Sequence, residues 1–277
     1  MEEVVVAEAD AEGAAAKATM PEGNRSLSPR ARRWKGVLLL LAGILSAIIP
    51  MVIAFPFRDT LRYSGGDPNN PLSRYTFGTK FGHFHWFLFG ALLCYSFVVI
   101  LEIGRKPLWR TSPSAIVAFV LGGLATMSAD ALGDLSGVHA ENILHFPSTF
   151  ADQMVCSLIA TLGMSFAISI GLGRRSTFRW RPTYWVVVGL VTGFAVDMIG
   201  ALFSSIYTTW FDYTHRQASS NLVDAHFYRN APRWTVYDIV IGIAMALAMY
   251  EEFFEPRNLR EDFERPSKIE GTRQELK

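Results

Sequence analysis

Six stretches of this chain, each about twenty residues long and nearly free of charge, limit what it can fold into more than any other feature. They cover about 36–56, 82–103, 114–133, 152–172, 184–207 and 234–253. A helix needs about 20 apolar residues to cross the hydrocarbon of a bilayer, and the core of a soluble protein has no use for such runs. Backbone groups in lipid must satisfy one another within the segment, so helices are expected. The expected fold class is all-α: a polytopic membrane helical bundle of about six transmembrane helices. Charged residues make up 18% of the chain, which is low for a soluble protein. The net charge of +1 argues against a nucleic-acid partner and leaves the lipid bilayer as the first one.

The ends are of another composition. Residues 1–34 begin acidic and Ala-rich and turn Pro-, Ser- and Arg-rich, so a disordered cytoplasmic tail is expected there. The tail is too acidic and the first apolar run too long for a simple signal peptide, so that run is read as a retained span. The transmembrane domain is placed at 35–254, followed by a charged cytoplasmic tail at 255–277.

Orientation follows from Lys and Arg near the span ends. With the distant Lys17 set aside, 18 fall on one side and 7 on the other. Both termini are therefore expected in the cytoplasm of a multi-pass cell-membrane protein. Long loops at about 57–81, 134–151 and 208–233 should then face outward. All seven tryptophans lie at or near a proposed span end, where amphipathic rings settle at the membrane interface.

The layout suggests three hairpins, and the residues suggest a pseudo-threefold repeat. Arg74-Tyr-Thr-Phe-Gly-Thr79, Pro147-Ser-Thr-Phe-Ala-Asp152 and Arg233-Trp-Thr-Val-Tyr-Asp238 recur before the returning spans. Thr before Asp suits a helix N-terminus. Gly43, Gly123 and Gly193 align in the outgoing spans. Internal repeats are common in transporters. Gly189 and Gly193, and the stripe Gly163, Ala167 and Gly171, are read as sites of close helix contact.

Ionisable residues are unevenly placed. Asp197 stands mid-span, where an aspartate costs about 3 kcal/mol unless it faces the bundle interior or finds a partner. Asp130 and Asp134 are four apart and share one helix face. Asp152 and Asp238 come from the returning spans, either toward the same vestibule or as interfacial caps. Together these five carboxylates are the candidate ion, proton or substrate site. All six histidines, His83, His85, His139, His145, His215 and His226, fall on the predicted outer side. With carboxylates they suit a divalent transition metal such as zinc or copper, or non-haem iron. No metal motif is present. On a helix His83 and His85 would diverge by about 200°, so they could chelate together only from an extended turn.

Cys94 and Cys156 sit in apolar runs and read as small core residues, without a disulfide framework. There is no Walker loop, nucleophile elbow or kinase signature. The leading expectation is an outward-facing Asp/His-lined polar cavity that binds or conducts a small solute, proton or cation. One alternative is a membrane-embedded metal-dependent hydrolase or oxidoreductase with its site at the same face, so whether the chain is an enzyme stays open. Another is an accessory subunit with protein partners in a larger membrane complex.

Overall fold

The computed structural model describes residues 28–54, 80–103, 108–144, 148–173, 178, 180–215 and 222–254. Every element among them is a helix: α1 (Pro29–Ala54), α2 (Lys80–Glu102), α3 (Leu108–Leu144), α4 (Ser148–Leu172), α5 (Pro182–His215) and α6 (Leu222–Phe254). Five carry segments long and apolar enough to cross a membrane: Arg30–Ile53, His83–Glu102, Pro113–Glu141, Thr149–Leu172 and Pro182–Tyr207. The chain thus fits an integral multi-pass membrane protein. The sixth helix is not among the five; Arg233, Asp238, Glu251 and Glu252 interrupt or flank its apolar run.

Local chemistry sets several boundaries. Ser28 caps α1: its Oγ accepts from Ala31 N at 3.2 Å, and Pro29 follows, where a missing N–H costs nothing. Pro182 opens α5 in the same way. Gly173 ends α4 with φ at 71° and donates its N–H to Ser169 and Ile170 carbonyls, a left-handed C-terminal turn suited to glycine.

The helices overrun the expected loops. α3 is 37 residues long, α5 is 34 and α6 is 33, each near or above about 50 Å, against a hydrocarbon of about 30 Å. The expected outer loop at 134–151 is helix over 134–144 and 148–151, and 145–147 lie outside the described residues. Ser136 turns its hydroxyl back onto Gly133 O at 2.7 Å, which lets a polar stretch continue the helix. The loop expected at 208–233 is likewise shortened by α5 and α6. Most of the loop expected at 57–81, residues 1–27 and the C-terminal tail at 255–277 lie outside the described residues, whereas 29–34, expected within the disordered tail, are helical in α1.

α1 packs on α6 and α2, α3 on α2 and α4, and α5 on α4 and α6; α2 also meets α4, and α4 meets α6. α2 and α4 are the more buried, α1, α3 and α5 the more exposed. Exposed Leu41, Leu45, Val187 and Phe194 suit a lipid-facing surface, while Phe89, Phe97, Met164 and Trp185 fill the interior. Glycines set the closest crossings. A Cβ on Gly43 would sit 2.5 Å from Gly242 O, and one on Gly242 2.5 Å from Gly43 O, so α1 and α6 meet backbone to backbone. Gly189 lies against Leu158 and Thr161, and Gly163 against Ala125, as close-contact residues should.

Candidate functional site

The histidines of α2 organise the site. Helix begins at Lys80, so His83 and His85 point to different neighbours and do not chelate together. His83 Nδ1 lies 3.1 Å from Asp130 Oδ2 of α3. His85 Nε2 lies 3.0 Å from Asp238 Oδ2 of α6. The first pair is partly open, with side chains 25% and 21% exposed; the second is sealed, at 1% and 0%. One helix is thus joined to two neighbours by two imidazole–carboxylate contacts.

Asp238 had been expected at a helix start. It lies well inside α6, which begins at Leu222, so it cannot be a cap. Its burial has another cause: His85 supplies a counter-group in a place where a lone carboxylate would be very costly.

Asp134 follows Asp130 by one turn, and the two interact electrostatically with each other and with His83. Asp152 reaches α3 from α4. A Cβ on Gly133 would come within 2.5 Å of Asp152 Oδ1 and 2.9 Å of Cys156 Cβ, so the missing side chain makes room for this carboxylate. Asp152 interacts with Asp130, Asp134 and Arg233. Cys156, one turn further along α4, is buried within range of Asp130, Asp134, Asp152 and Asp238. It belongs to the hydrophobic core, as its apolar run suggests, and is a free cysteine.

Arg233 and Tyr237 make the next contact. Arg233 Nε donates to Tyr237 Oη, and the guanidinium carbon lies 5.2 Å from the ring centroid. Gly200 of α5 leaves space for that ring: a Cβ there would approach Tyr237 Oη to 2.6 Å. Asp197, one turn earlier on α5, interacts with Tyr237. Asp130 and Asp238 thus each face a histidine of α2, Asp152 lies against Gly133 beside Asp134 on α3, and Asp197 stands one turn before Gly200 on α5. Neither Arg233 nor Tyr237 was singled out from sequence, although they stand four apart, next to Asp238.

The remaining histidines do not join this group. His139 is exposed on α3 and lines an apolar groove of about 640 Å³ with Leu132, Ile143, Val155 and Ile159. That groove, between α3 and α4, is not lined by the carboxylates. His145 and the side chains of His215 and His226 lie outside the described residues. Among the described residues no three of His, Cys, Asp and Glu come together as a metal-ligand set.

Chemically, imidazole beside carboxylate is a group that can bind a proton. An imidazole and a carboxylate at about 3 Å can share one proton, and several carboxylates in a desolvated space compete for few charges. No protein-family model matches the chain, and neither a characterised protein nor a solved structure matches it.

Proposed function

We propose that this protein binds protons, or a small cation, in the polar cluster around α2 and moves them across a membrane. One observation carries this: the His85–Asp238 pair, wholly buried between α2 and α6 with 3.0 Å between its heavy atoms. Burial of two ionisable groups gives weak stability for its cost, so a functional role is the better account of their presence. The His83–Asp130 pair, partly exposed on the same helix, supplies the route from solvent. Direct contact at these distances favours a proton over a larger solute.

The bundle is proposed to cross the membrane six times, as three hairpins around a pseudo-threefold axis. Two observations support this. The returning helices α2 and α4 are more buried than α1, α3 and α5. The aligned glycines also each lie against a returning helix, although at different positions along it: Gly43 on Gly242 of α6, Gly123 on Phe87 of α2, and Gly193 on Met154 of α4. The bias of Lys and Arg sets both termini in the cytoplasm and the cluster toward the outer face.

The test is direct. Purified protein in liposomes that enclose a pH-sensitive dye should dissipate an imposed pH gradient faster than empty liposomes. A rate equal to that of empty liposomes, with sodium and potassium gradients also untouched, removes the proposal.

A further inference from the structure

We propose that the end of the bundle opposite the polar cluster is closed by a releasable latch between α5 and α6. This rests on the reading of the cluster as a proton or cation site, which needs access from both sides in turn. Arg181, just before α5, places Nη2 2.6 Å from Glu252 Oε1 in the last turn of α6. Tyr184 Oη donates to Glu251 Oε2 at 3.3 Å. Glu252 lies fourteen residues beyond Asp238, about 21 Å along the helix. The two contacts thus tie α5 to α6 at the far end, while Gly200 and Tyr237 join the same helices beside the cluster.

The latch has the properties of a contact that opens. Arg181 is 38% exposed, so water can take over its guanidinium at little cost, whereas Glu252 is 5% exposed. Once Arg181 leaves, the buried carboxylate draws in water, and separation of the helices is reinforced. The closed form also carries an unmet donor. Trp185 is wholly buried one turn after Arg181, and among the described residues its Nε1 has no acceptor. Opening to water would satisfy it. Behind the pair, Phe253 and Phe254 stack edge to face at 5.1 Å and complete an aromatic seal.

The experiment uses a reporter cysteine. Ala248 is 6% exposed and lies one turn before Glu252 on the same face of α6. In full-length protein carrying Cys94→Ser and Cys156→Ser, Ala248→Cys is exposed to a membrane-impermeant maleimide from each side of sealed vesicles. Arg181→Gln and Tyr184→Phe should each raise labelling from the Arg181 side by about fivefold, the scale expected for loss of a half-exposed contact. Arg181→Lys should return it toward the parent level. Unchanged labelling in both variants overturns the latch, as does a rise shared equally by both sides, which marks general loosening. Proton flux measured on vesicles of protein that keeps Cys94 and Cys156 separates the two ideas. Absent flux with side-specific labelling sinks the proton reading and keeps the latch.

Discussion

The buried pair between α2 and α6 sets the strongest expectations at the level of single residues. Taking away one member leaves an uncompensated polar group in a dry place. Asp238→Leu should therefore lower stability by about 3–5 kcal/mol. Replacing both, as His85→Leu with Asp238→Leu, should recover most of that loss while proton movement stays absent. Thermal unfolding in detergent reads the first effect, and liposome flux reads the second. A double variant no more stable than Asp238→Leu would mean the pair is held for packing alone. Asp197 should behave differently, because it stands on α5, outside the buried pair that joins α2 to α6. Asp197→Asn is expected to reduce flux far less than Asp238→Asn does, and equal losses would move the centre of the site toward α5. Cys156 shows why some of this was hidden. Asp152 stands one turn before it on α4, but the carboxylates of α3 and α6 come near it only through helix packing.

At the level of helices, the crossing of α1 and α6 is the tightest constraint. Each of Gly43 and Gly242 would drive a Cβ to 2.5 Å from the other's carbonyl oxygen. Gly242→Ala should force the helices apart and cost about 1–3 kcal/mol, seen as a lower midpoint of thermal unfolding. A midpoint equal to that of the parent would show that the crossing yields easily. The helices themselves were legible because twenty-residue apolar runs admit few other structures. The divergence of His83 and His85 was legible from helical geometry alone. The extension of α3 beyond Asp134 was not: Ser136, Gly137 and His139 read as loop, and Ser136's bond back to Gly133 O was not visible in the sequence. The position of Asp238 was missed for a related reason. Pro232 looked like a helix boundary, yet α6 runs straight through it. The five-carboxylate grouping was expected from residue type and side of the membrane. Which carboxylate meets which partner depended on contacts between helices far apart in sequence.

At the level of the molecule, the account joins a topology to a direction. If both termini face the cytoplasm, tags at the two ends should be reached by protease or antibody from the same side, and only after the membrane is opened. Tags reached from opposite sides would remove the six-span arrangement. A partly exposed His83–Asp130 pair, a buried His85–Asp238 pair and the Arg181–Glu252 contact at the other end of α6 are the features from which the proposed one-sided access is drawn. The measurement that bears most directly on this account is proton flux through Asp238→Asn protein in liposomes, matched to the parent for folded protein. Flux should fall by about 100-fold, the scale of one positioned proton-transfer group. Parent-level flux from correctly folded Asp238→Asn protein would contradict the account.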